Sequence, residues 1–147
     1  MPRIRLDLPP TFLFSTLIPI RITDINYGGH LGNDSFLTLM HEARVQFLAH
    51  YGYTEISIEG ESIIMADAAI VYRSEAHYGQ QVLVEVAVQD FSTFGCDLIY
   101  RLSDHSSGRE IARAKTGIVF FDYKKRKPVE VPPRFRERIE ATRSSIV

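Results

Sequence analysis

Residues 23–44 read TDINYGGHLGNDSFLTLMHEAR, a polar loop carrying Gly28, Gly29 and Gly32 that runs straight into the most regular amphipathic segment of the chain. The first backbone amides of a helix have no partner inside it and carry its positive dipole end, so they polarise a carbonyl placed over them. Asp24, Asn26 and His30 lie in the loop just ahead of those amides. An imidazole in that place can activate water, orient a base or donate to the carbonyl; the plainer alternative is a histidine that braces its loop through hydrogen bonds. The glycines form no phosphate cradle, because neither G-x-G-x-x-G nor G-x-x-x-x-G-K occurs, and this argues against nucleotide chemistry.

These side chains need elements to hold them. Over residues 33–51, Phe36, Met40, Ala43, Phe47 and Tyr51 recur at helical spacing, with Leu37, Leu39 and Leu48 flanking the stripe. Asn33 suits the N-cap, Asp34 the positive dipole end, and Gly52 is placed to stop the helix in a left-handed conformation. The rest is strand-like. Residues 14–22 are apolar and β-branched, with Pro19 suiting an edge or a bulge. Residues 62–73, 81–91, 96–103 and 109–123 follow, the second placing Val82, Val84, Val86 and Val88 on one face and the last two joined by a hairpin loop at 104–108. Residues 124–127 form a solvated basic turn, Pro128, Pro132 and Pro133 break the sheet, and residues 134–143 make a short, mostly polar helix. One strand, one long helix and four strands in antiparallel meander predict an α+β fold, a curved sheet wrapped around a central helix, since nothing else can cover so wide an apolar face.

A length of 147 residues predicts one domain spanning 1–147. With 45% hydrophobic and 24% charged residues the balance is that of a soluble globular protein, and a net charge of −1 points to neither a nucleic-acid nor an anionic-membrane partner. Apolar runs such as 63–65 and 117–121 fall far short of the ~20 residues that cross a bilayer. Asp7 and a double proline interrupt the N-terminal segment where a signal peptide needs an unbroken apolar stretch, so the expected location is cytoplasmic. The single cysteine, Cys96, excludes an internal disulfide, and His41, His50 and His105 have no second ligand at a recognisable interval, so no metal is expected.

The run Asp24-Ile25-Asn26-Tyr27-Gly28-Gly29-His30-Leu31-Gly32-Asn33 resembles the D-x-D-x-x-G-H-x-x-N loop of the hotdog-fold thioesterases of the 4-hydroxybenzoyl-CoA and acyl-CoA thioesterase group. Glu42-Ala43-Arg44 is similar to that family's helical E-A-R, and Tyr72-Arg73-Ser74-Glu75-Ala76-His77-Tyr78-Gly79 and Thr116-Gly117-Ile118-Val119 extend the likeness over residues 14–133. The resemblance implies a hotdog fold, dimers or tetramers with active sites at subunit interfaces, and thioesters of coenzyme A or acyl carrier protein as substrates. It also implies that the backbone N–H of Asn33 polarises the thioester oxygen. Where many members carry a catalytic carboxylate, four residues before the histidine, this chain has Asn26, an amide that can orient water or the carbonyl but cannot take a proton from water. The basic cluster that some members use for the coenzyme A 3′-phosphate falls at residues 90–94, which hold no lysine or arginine. Coenzyme A must then be held by other residues.

Asp24 stands two residues before Asn26, on the same face of an extended segment, where it can act as a displaced general base or brace the loop by pairing with Arg44. Arg44 falls inside the apolar face of the wheel and needs such a partner. Glu42, on the polar side, is either solvated or supplies the missing carboxylate to a neighbouring subunit. His77 and Tyr78 line a substrate mouth or simply form a turn. Phe36, Met40 and Tyr72 are the expected acyl-chain liners. The function expected is hydrolysis of an acyl thioester with Asp24, Asn26, His30, Asn33 and Glu42 as site residues and no cofactor beyond the coenzyme A of the substrate. A hotdog-fold hydratase or dehydratase, whose D-x-N-P-x-H motif is one residue shorter and contains a proline, and a non-catalytic acyl-thioester-binding protein are the alternatives.

Overall fold

A computed structural model describes residues 2–146; residues 1 and 147, the ends of the expected single domain, lie outside the described residues. The elements are β1 (Phe14–Pro19), a short 3-10 turn (Ile22–Asp24), α1 (Asn33–His50), β2 (Ser62–Tyr72), β3 (Gln81–Gln89), β4 (Gly95–Asp104), β5 (Glu110–Asp122), β6 (Lys127–Pro128) and α2 (Pro133–Ser145). The α1 stripe is the core. Phe36, Leu39, Met40, Ala43, Phe47 and Leu48 are buried, whereas Leu37, expected beside the stripe, is 47% exposed because its angle on the helix carries it past the sheet. Gly52 ends the helix at φ +81° as its position predicts. The alternation of β3 is equally faithful, with Val82, Val84, Val86 and Val88 all turned into the core.

The strands make one antiparallel sheet in the order β1-β3-β4-β5-β2, with β6 paired to β5. This corrects the expected four-strand meander. β3 has both edges occupied, by β1 from Phe14↔Val86 to Pro19↔Gln81 and by β4, so β2 crosses to the far side and pairs with β5 from Ser62↔Phe121 to Tyr72↔Ala112. The crossover, residues 73–80, passes over the start of α1 and is tied there by the Leu31 amide donating to the Ala76 carbonyl at 2.7 Å. Alternation within a strand fixes which face is buried but not which strand lies alongside. Pro19 ends an edge strand, as expected. Pro128 joins the sheet instead of breaking it, because a two-residue edge pairing opposite Phe121 does not require its missing N–H. Helix α2 sets Phe135 and Ile139 into the core beside Phe120, Tyr53 and Phe91.

Arg44 is buried, and its partner is not Asp24. Its Nε donates to Glu55 Oε2 at 2.8 Å and its Nη1 to the Tyr100 hydroxyl at 3.3 Å, while His41 Nε2 lies 2.8 Å from the other Glu55 oxygen. Burial pushes the Glu55 carboxyl up, but the hydrogen bonds from Arg44 and His41 outweigh it and hold the group below the usual carboxylate range. Glu55 lies beyond the helix, in a segment whose pairing partner no periodicity announces.

Candidate active site

The loop ahead of α1 folds as a small closed hairpin. Ile25 and Leu31 form an antiparallel bridge, the Asn26 amide donates to the His30 carbonyl at 2.9 Å, and Gly29 turns the chain at φ +83°, a conformation that favours glycine. Asn26 fastens the turn from inside, its Oδ1 accepting from the Gly28 amide at 2.9 Å and the His30 amide at 3.5 Å. With the oxygen spent on the backbone, the end of Asn26 left for a ligand is the NH2, a donor.

Gly32, not Asn33, caps the helix, and it offers no side chain to the first turn; Asn33 is the first helical residue. The Ser35 amide is taken by the Gly32 carbonyl at 3.0 Å, and the Gly32 amide by the Asp24 carbonyl at 3.0 Å. The amides of Asn33 and Asp34 have no acceptor among the described residues. A serine or aspartate cap would claim such amides; a glycine cap leaves them open to a ligand.

Asn26, His30 and Asn33 face a cavity of about 380 Å³. The loop and helix supply Asn26, His30, Leu31, Asn33 and Phe36, and the end of β2 with the crossover supplies Tyr72 and residues 73–76. Phe36 and Tyr72 meet edge to face at 5.0 Å between centroids, making an apolar wall, and burial together with the charge of Asp34 raises the Tyr72 hydroxyl above its ordinary value. Glu75 sits on the opposite rim with Oε1 3.8 Å from His30 Nε2. A donor pair, an imidazole with a carboxylate beside it, and an apolar slot thus share one cavity, which is what attack of water on an acyl carbonyl requires.

Five of the residues picked out in the sequence meet here: Asn26, His30, Asn33, Phe36 and Tyr72. Asp24 does not. It sits on the 3-10 turn, where two-residue alternation fails, and its buried carboxylate accepts from the Arg21 amide at 2.8 Å, Arg21 Nη2 at 3.1 Å and Arg21 Nε at 3.3 Å. Met40 is wholly buried in the core, about one helical turn beyond Phe36, and does not line the cavity. Glu42 borders a different cleft, with Arg21 and Val45, and accepts from Gln46 at 2.9 Å. His77 stands just outside, its ring edge-on to His30 at 6.5 Å and its Nδ1 3.5 Å from the Gly29 carbonyl. Glu75 is the functional candidate that sequence reasoning passed over. The run Tyr72 to Gly79 is similar to a known motif, but only the crossover's bond to Leu31 brings Glu75 to face His30. Among the described residues no cluster of three His, Cys, Asp or Glu is arranged for a metal, and no helix is long and apolar enough to cross a membrane.

The sequence model of the thioesterase-like superfamily matches residues 20–139. Among curated protein sequences none matches. Solved structures do. A 1,4-dihydroxy-2-naphthoyl-CoA thioesterase from Synechocystis superposes with a TM-score of 0.78 at 23% identity, covering 86% of this chain and 94% of that one. A thioesterase from Thermus thermophilus, complexed with coenzyme A and Zn, gives 0.78 at 22% identity over 91% of this chain and 97% of that one. A DHNA-CoA thioesterase from Staphylococcus aureus gives 0.75 at 18% identity, with 90% and 89% covered. The architecture is therefore the hotdog fold, sheet wrapped on helix.

Proposed function

The chain belongs to the thioesterase-like superfamily, and from that premise we propose that it hydrolyses acyl thioesters of coenzyme A or of acyl carrier protein in the cytoplasm, releasing a free acid and a thiol. The observation that carries this reading is the glycine-capped start of α1, where Asn33, its amide unclaimed and next to the equally unclaimed amide of Asp34, lines the cavity that holds His30. The acyl carbonyl accepts from these amides and from the Asn26 NH2, which together stabilise the oxyanion as water adds. His30 takes the proton of that water, with Glu75 beside it to orient the ring and offset its charge. The tetrahedral intermediate collapses, the carbon–sulfur bond breaks, and the imidazolium returns its proton to the departing sulfur. Phe36, Leu31 and Tyr72 pack the acyl chain. Asp24 has no part in this scheme because Arg21 engages its carboxylate. No group is needed beyond the carrier of the substrate itself.

The same superfamily reading includes a homo-oligomer. Among the described residues β2 ends the sheet with one edge unpaired and Met65, Ala66, Asp67 and Ala68 exposed, so a second copy can extend the sheet there. A thiol-release screen over acyl-CoAs of graded length, aliphatic and aromatic, tests the activity. Hydrolysis is expected for at least one class, with a loss of about a hundredfold or more in His30→Gln and of less than about tenfold in Glu42→Gln. Acyl-CoA bound without thiol release supports the non-catalytic reading instead, and hydration of enoyl-CoA without thiol release supports the hydratase.

A further inference from the structure

Residues 3–7 border a further cleft, of about 310 Å³, together with Val71, Tyr72 and Arg73 at the end of β2. Four guanidinium groups border it, those of Arg3, Arg5, Arg73 and Arg113. Arg113 anchors the segment: its Nη1 donates to the Leu6 carbonyl at 3.0 Å, while its Nε lies 2.6 Å from Glu110 Oε1. Glu110 is shared with Arg73, whose Nε is 3.5 Å from the same oxygen. Arg3 and Arg5 are exposed and have no carboxylate partner among the described residues. With Asp7 and Glu110 as the carboxylates at hand, two positive charges remain uncompensated, in a chain whose net charge is −1. Tyr72 and Arg73 line this cleft and the acyl cavity alike, so the two spaces share a wall at the end of one strand.

We propose that this arginine cleft binds the phosphates of the substrate's coenzyme A moiety, with the pantetheine arm passing over Tyr72 and Arg73 to put the thioester at the start of α1; the assignment rests on the thioester reading above. Planar guanidinium forks match phosphate oxygens in geometry as well as charge. The segment carrying Arg3 and Arg5 lies ahead of residues 20–139, the part that the superfamily model matches, so this phosphate site is a feature of this chain's own N-terminal stretch. It also stands in for the basic cluster absent from residues 90–94.

Calorimetric titration of the full chain with adenosine 3′,5′-bisphosphate, on wild type and on the double variant Arg3→Ser/Arg5→Ser, tests the site without turnover. Both arginines are exposed, so the variant is expected to fold as the wild type does. Binding is expected in the wild type and about tenfold or more weaker in the variant, with KM for acyl-CoA rising in parallel, kcat kept, and hydrolysis of the matching acyl-pantetheine unchanged. No binding by the wild type, or equal binding by the variant, overturns the assignment. If acyl-CoA is hydrolysed while bisphosphate binding ignores the arginines, the cleft falls and the hydrolase reading stands. If bisphosphate binding depends on them while no acyl-CoA is hydrolysed, the reverse holds.

Discussion

Replacing Gly32 by serine sets helix stability against catalysis. The residue has φ −70° and ψ 149°, dihedrals open to any amino acid, so no backbone strain resists a side chain. A Cβ there would stand 2.8 Å from Asp34 Oδ1, the movable end of a side chain, and 3.5 Å from the Asn26 Cβ, an ordinary contact. Serine is the better cap than glycine by about 0.3 kcal/mol, and displacing the Asp34 carboxylate costs a similar amount, so stability should change by less than about 0.5 kcal/mol and Tm by less than about 2 °C. Turnover should respond far more. Losing one positioned donor from an oxyanion site costs about 10²–10³ in rate; a serine Oγ draws on one of the two open amides and leaves the other, so a fall of between about tenfold and a hundredfold is expected. Gly32→Ala is the control, with the same added carbon but no acceptor: it should lose up to about 1 kcal/mol of stability and keep most of the rate. Thiol release at saturating acyl-CoA and thermal unfolding measure both quantities. Wild-type turnover in Gly32→Ser, or equal losses in serine and alanine variants, would refute the placement of the carbonyl on these amides.

Other outcomes follow from the core and its ion pairs. The depressed Glu55 carboxyl contributes stability that is complete above the unfolded carboxylate value of about 4.3 and is lost as pH falls through the lower folded value. Arg44→Met should therefore cost about 2 kcal/mol at pH 7, less than a fully buried pair because Glu55 keeps solvent contact, and should flatten that acid dependence, as urea titrations at pH 7 and pH 3 would record. Burial pushes the Cys96 thiol up to about 12, so it should resist alkylation at pH 8 until the protein unfolds, which mass spectrometry reads directly. In Gly95→Ala the new carbon would stand 2.0 Å from the Ile118 carbonyl oxygen, forcing β4 from β5; a loss at or above the upper end of about 1–3 kcal/mol, near 10 °C in Tm, is expected in a thermal melt.

What the sequence disclosed depended on whether the signal was local. The helix stripe, the glycine that ends it and the valines of β3 were readable because each reports a period of one element. The meeting of Asn26, His30 and Asn33 at one cavity is readable as well, since loop and helix start are contiguous. Five things were not. The partner of Arg44 and the place of β2 are set by tertiary pairing that a period does not encode. The placement of Asp24 is not legible because a single 3-10 turn at residues 22–24 leaves no periodic trace. Glu75 was missed because its meeting with His30 is made by a strand crossover, and the arginine cleft because residues 3 and 5 are joined to residues 73 and 113 only by the folded sheet.

The most direct measurement is the infrared carbonyl stretch of an acyl-CoA ketone analogue, in which a methylene group replaces the sulfur so that the bound group cannot be hydrolysed, isotopically labelled at the carbonyl carbon. Polarisation by the Asn33 and Asp34 amides and the Asn26 NH2 should lower its frequency on binding to the wild type, by less in Gly32→Ser. A stretch that stays at its value in water when the ligand is bound would contradict the assignment of this helix start as the site of thioester chemistry.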